Sequence, residues 1–93
     1  MMTVSFSIPT TSSLLAAKFN HAPLIPLVDV ASEYLGITPS TAKRKARCND
    51  LPFPVFRLSD SQKAPWLVKF EHLVEYIERV SAISHKDWLR MQC

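Results

Sequence analysis

The sequence predicts a mainly α-helical domain with one small β-hairpin, and three observations carry that expectation. Apolar residues recur at helical spacing before Gly36, the only glycine in the chain, and a second helical pattern starts just after it. Two runs rich in β-formers, Val55–Leu58 and Trp66–Lys69, flank a polar stretch with turn chemistry. Phe70, Leu73, Val74, Ile77 and Val80 then fall at i, i+3, i+4, i+7 and i+10, the spacing of an amphipathic helix. A chain of 93 residues with 47% apolar content suits one folded unit with a modest core.

The centre of the chain reads as two helices and a tight turn. Leu27, Val30, Ala31 and Tyr34 mark the inner face of the first, which stops at Leu35 because Gly36 can take the left-handed conformation at no steric cost. Thr38 is a good N-cap and Pro39 suits the first helical position, so a second helix starts at once. Ala42 and Ala46 point inward on it, while Ser40, Lys43, Arg44 and Arg47 crowd the opposite side. Such a pair, with the second helix basic, is the pattern of a helix-turn-helix whose second helix enters the major groove of DNA. A basic helix face is commonly just solvated surface, so the charge distribution has to be weighed with it.

Formal charge is only +3, but it is unevenly spread. From Ser40 to Lys69 there are seven basic residues (Lys43, Arg44, Lys45, Arg47, Arg57, Lys63, Lys69) against Asp50 and Asp60, so that segment carries +5 and the remainder −2. A local cationic surface of this kind favours a polyanion as partner.

Other chemistries find little support. Cys48 and Cys93 are not in a pair motif, which fits a reducing cytoplasm better than a disulfide framework. His21, His72 and His85 show no ligand spacing, so no metal site is expected and no cofactor is implied. The run Leu14-Leu15-Ala16-Ala17 is too short for a signal peptide or a membrane span, so no membrane partner is expected. With no phosphate-binding glycine loop and no nucleophile–base pair, an enzyme with a small-molecule substrate is not expected either.

Taken in order, Met1 to Thr10 read as a flexible arm. Thr11, Ser12 and Ser13 offer N-caps for a short helix through Leu14, Leu15, Lys18 and Phe19, ended by Asn20 and Pro23. So short a helix must pack, either on its own domain or on a second subunit. Pro23 and Pro26 hold Leu24 and Ile25 extended, and Leu51-Pro52-Phe53-Pro54 forces the chain out of the second helix of the pair. The following hairpin has a polar tip from Ser59 to Pro65. Placed directly after a recognition helix it reads as a wing, with Ser61, Gln62 and Lys63 able to reach phosphate or the minor groove; the plainer alternative is a structural hairpin with a solvated tip. The helix from Phe70 shows Glu71, Glu75, Glu78 and Arg79 outward and reads as a buttress burying Trp66, Phe56 and the inner faces of the helix pair. Ser84 and Asp87 resemble a capping box, so residues 81–93 form a tail in which a separate short helix would hold Trp88, Leu89 and Met91.

Helix pair, wing and buttress in this order resemble the winged helix-turn-helix domain of excisionases and of the MerR-like group. A closer resemblance, to the PrtN-type pyocin activator family, rests on Ile25-Pro26-Leu27, Tyr34-Leu35-Gly36, Ser40-Thr41-Ala42 with Arg44-Lys45-Ala46, the run from Leu51 to Leu58, and above all Asp60-Ser61-Gln62-Lys63-Ala64-Pro65. It covers about Leu14 to Val80, and implies a cytoplasmic, sequence-specific binder of double-stranded DNA that switches on the promoters of a phage-related or bacteriocin locus. The DNA contacts expected on the helix are Ser40, Thr41, Lys43, Arg44, Lys45 and Arg47, and those on the wing Arg57, Ser61, Gln62 and Lys63. A homo-oligomer is expected, since one small domain reads too few base pairs to find a site in a genome, with RNA polymerase or an integrase as further partners. An excision factor of a mobile element would need the same groove contacts. Alternatives of other classes are a protein-binding anti-repressor or scaffold using the Trp88 tail, and an RNA binder.

Overall fold

The computed structural model describes residues 9–92, and the arm expected before Thr11 lies outside them but for Pro9 and Thr10. In chain order the elements are α1 (Thr11–Lys18), β1 (Leu24–Pro26), α2 (Leu27–Val30) continued by a π-helical turn (Ala31–Leu35), α3 (Pro39–Arg47), β2 (Val55–Phe56), β3 (Leu67–Lys69) and α4 (Phe70–Arg90). The protein is mainly helical, as the sequence predicts.

The strands form an antiparallel sheet in the order β1-β3-β2. Ile25 and Val55 both pair with Val68, while Phe56 and Pro26 pair with Leu67. The expected hairpin is therefore the smaller part of a three-stranded sheet, and the segment between the two prolines is a strand. Pro26 is tolerated because β1 lies at the edge, where one missing N–H breaks no central ladder. Backbone bonds clamp both ends of this pairing, Leu27 N–H donating to the Trp66 carbonyl (2.8 Å) and Phe70 N–H to that of Pro23 (2.9 Å). Arg57 and Leu58, expected in the second strand, leave the ladder, so the link between β2 and β3 runs from 57 to 66.

One core joins sheet and helices. Ile25 and Val68 from the sheet, Leu27, Val30 and Ala31 from α2 and its extension, Ala42 and Ala46 from α3, Phe53 from the exit loop and Leu73 from α4 are all buried together. Phe53 meets Tyr76 edge to face at 5.4 Å between ring centroids. The alanines let α3 lie close against α2, and Thr38 starts it, its Oγ1 accepting from Thr41 N–H (3.2 Å). The chain leaves α3 through Asn49 at φ 53°, with Asp50 N–H closing onto the Lys45 carbonyl (2.8 Å).

The π-helical turn alters one inner face. Its wider turn sets Leu35 nearly above Ala31, so Leu35 packs on the core, whereas Tyr34, expected inside, is 43% exposed. The exit through Gly36 occurs as expected, at φ +66°, with Ile37 N–H donating to the Ala31 carbonyl (3.2 Å).

Three other expectations need correcting. The N-cap of α1 is Thr10, whose Oγ1 accepts from Ser13 N–H while Ser13 Oγ accepts from Thr10 N–H; this reciprocal box outcompetes a start at Thr11, Ser12 or Ser13. Helix α1 does pack on its own domain, the first of the two expectations for it, with Leu15 buried, α4 alongside and Lys18 paired to Glu33, while Leu14 stays exposed. Finally, α4 is one continuous helix through Ser84, so there is no separate tail helix capped there. With no glycine or proline between Phe70 and Arg90, nothing interrupts the ladder, and a capping residue inside a helix simply remains exposed. Trp66 and Phe56 are only half-buried, because α4 packs through Leu73, Tyr76 and Ile77 and then projects beyond the sheet.

Candidate nucleic-acid interface

A cleft of about 450 Å³ opens between α3 and the link from β2 to β3. Lys43 and Arg47 enter it from α3, one helical turn apart on the same line; Arg57, Gln62, Lys63 and Trp66 enter from the link, and Pro26 and Val28 contribute apolar lining. Four cations thus line one concavity that has no carboxylate among its lining residues. At the short separations this implies, like charges repel, which makes the site favourable for an anion that can bridge them.

The link is ordered by its own side chains. Ser59 Oγ accepts from Ser61 N–H (3.1 Å) and Ser61 Oγ from Lys63 N–H (3.2 Å), two successive turns that place Gln62 and Lys63 at the tip. Arg57 lies with its guanidinium 4.7 Å from the Trp66 ring centroid, and its Nη1 donates to the Ser61 carbonyl at 3.4 Å. Stacking and this bond restrict the side chain before any ligand arrives, so less conformational entropy is lost when it binds one.

The other candidates are placed differently. Arg44 and Ser40 stand exposed on the outer pole of α3, beside the cleft rather than in it. Thr41 is half-buried, its hydroxyl accepting from that of Thr38 (3.0 Å) as part of the cap. Lys45 turns toward the inner side of the helix, half-buried and 3.4 Å from Asp50. Lys69 faces Glu71 at 3.5 Å. Of the seven basic residues that make the central segment cationic, four therefore line the cleft, Arg44 flanks it, and Lys45 and Lys69 are matched by carboxylates. Sequence reading missed Trp66 as part of the site. Its place in a run of β-formers pointed to the core, and only the strand pairing that starts after it shows which face is left open.

Among the described residues no group of three or more His, Cys, Asp or Glu could hold a metal ion, and no helix is long and apolar enough to cross a membrane. Away from the cleft, the Lys18 ammonium is held above the ordinary lysine range, chiefly by its hydrogen bond to Glu33.

These features define a small, mainly helical protein with a cationic cleft between a helix and a loop. The chain belongs to the family described as pyocin activator protein PrtN, whose model matches residues 11–82, from the first residue of α1 to the middle of α4. No curated protein and no solved structure matches it. Membership supports a role in transcription regulation as an activator, with DNA or the transcription machinery as its partner in general.

Proposed function

We propose that the protein is a sequence-specific activator that binds double-stranded DNA as a winged helix-turn-helix, acting in the cytoplasm on a bacteriocin or other phage-related locus. The observation that carries this is the cleft, where cations from a helix and from a loop face each other across a space free of acidic side chains. In this reading α3 lies in the major groove and the link from β2 to β3 is the wing. The phosphodiester strand between them occupies the cleft, held by Lys43 and Arg47 on one side and by Arg57 and Lys63 on the other. Arg44 and Ser40, on the outer pole of α3, are free to face base edges, where an arginine forms a bidentate pair with guanine O6 and N7.

The two roles separate by mutation, with affinities measured by fluorescence anisotropy on a selected target duplex, a random duplex and single-stranded RNA. Arg44→Ala should cost about 1–3 kcal/mol on the target and less on random duplex, whereas Lys63→Ala should weaken both alike and reduce the salt slope by about one. Lys86→Ala, on the far part of α4, should change neither. Absence of duplex binding at low salt, or tighter binding of the RNA, would overturn the proposal; equal losses for Arg44→Ala on both duplexes would remove base reading from α3.

A further inference from the structure

The distal half of α4 has no role in the cleft and none in the core. From Glu78 to Gln92 every residue is exposed, and the molecule is only 17 Å thin against extents of 49 and 48 Å. An isolated helical stretch of this length is marginal in water. Yet one face of it is mainly apolar and small, with Asp87 as the charge it carries. Val80 is 43% exposed, Trp88 57% and Met91 82%, and they continue the line along which Leu73 and Ile77 enter the core; Ile83, 55% exposed, stands to one side of it.

Four apolar positions on that face are placed symmetrically about Ser84. Ile77 and Met91 lie seven residues either side of it, and Val80 and Trp88 four either side. A two-fold axis at Ser84 would thus set two such helices antiparallel, with each Ile77 level with the other copy's Met91, each Val80 with Trp88, and the small Ser84 side chains meeting at the centre. An isologous interface requires this self-complementarity, large against large and small against small. Pairing about this axis would cover Val80, Trp88 and Met91 of both copies, apolar groups that otherwise stand in water, which places the contact at the small end of specific interfaces before any polar rim is added. Asp87, the charge nearest the line, already has its carboxylate bound by Arg90 at 2.9 Å, so it brings no unmatched charge to the seam.

We propose that a second copy of this chain docks on the distal half of α4, antiparallel and two-fold about Ser84. The assembly carries two α3 helices, and it does so without using the cleft.

The test uses the full chain, free of DNA. Sedimentation equilibrium should give a dimer at tens of micromolar, and Trp88→Glu should raise the dissociation constant at least about tenfold while leaving the far-UV spectrum and the unfolding midpoint of the monomer unchanged. The register is tested in a Cys48→Ser, Cys93→Ser background. Ser84→Cys places two thiols across the axis and should form an inter-chain disulfide quickly under mild oxidation, whereas Ala82→Cys, on the opposite face, should not. A monomer at hundreds of micromolar, or cross-linking no faster at 84 than at 82, overturns the proposal and leaves the face to a different protein. A chain that dimerises and cross-links through Ser84→Cys, yet binds no duplex when unlinked, upholds this interface and overturns the DNA-binding reading, and a monomer that binds duplex does the reverse.

Discussion

The uncovered faces of α3 and of the distal half of α4 have opposite chemistry. On α3 the uncovered side is Ser40, Lys43, Arg44 and Arg47, all well solvated groups that lose nothing by standing in water. On α4 it is Val80, Ile83, Trp88 and Met91, whose exposure is unfavourable at roughly 25 cal/mol per Å². The first kind of face accepts a partner reversibly and by charge. The second is stabilised by being covered, whatever the salt. The inner sides differ as well: α3 packs through Ala42 and Ala46 and so lies close to α2, while α4 reaches the core with Leu73, Tyr76 and Ile77.

Salt should separate the two faces most widely. With four phosphates neutralised in the cleft, duplex affinity should fall about 10²-fold between 50 and 200 mM salt, a slope of about −4. Self-association through α4 should change little over the same range, and a matching fall in both would mean that the α4 contact is electrostatic.

Next in size is the contrast along α4 itself. Leu73→Ala empties a fully enclosed site and should cost about 2–5 kcal/mol in chemical denaturation, while Val80→Ala should cost well under 1 kcal/mol in the monomer. A large loss at Val80 under dilute conditions would place the distal half in the core. Ala46→Leu asks the same of α3. Methylenes added at a position 5% exposed against α2 should cost about 1–3 kcal/mol, and duplex affinity should fall with it as α3 is displaced from the cleft.

The smallest effect lies away from both faces. Because the folded-state pKa of Lys18 is raised, the stability it contributes is fully present below the unfolded value near 10.5 and is lost as pH rises through the raised folded value. Glu33→Gln should remove that alkaline dependence, read as the difference in unfolding midpoint between pH 9 and pH 11.5, and should leave duplex binding at neutral pH unaltered.

Much of the chain was legible because its signals are local. Gly36 ends a helix by backbone conformation alone, since a Cβ there would meet nothing within 4 Å. Thr38-Pro39 begins the next helix, and Leu51-Pro52-Phe53-Pro54 ends any continuation. Of the ten residues expected to meet DNA, those whose position follows from helical phase, Ser40, Lys43, Arg44 and Arg47, are exposed as read. Thr41 and Lys45 are the exceptions, both half-buried: Thr41 is taken up in the cap of the helix, and Lys45 lies nearer the buried alanines than the outer pole.

What the sequence determined by itself was the end of the first central helix at Gly36 and the start of α3 at Thr38-Pro39, the cationic character of α3 and membership of the PrtN family, because capping, proline geometry and helical phase are settled within a few neighbouring residues. Tertiary structure decided the rest. It made Leu24–Pro26 a strand by pairing it with residues more than forty positions away, turned Tyr34 outward and Leu35 inward through one wide helical turn, and brought Trp66 beneath Arg57. It also divided seven basic residues into two matched by Asp50 or Glu71, four left to converge on a cleft and Arg44 beside it. Pairing and charge matching depend on groups distant in sequence, whose approach is set by the packing of the whole core and not by any local preference.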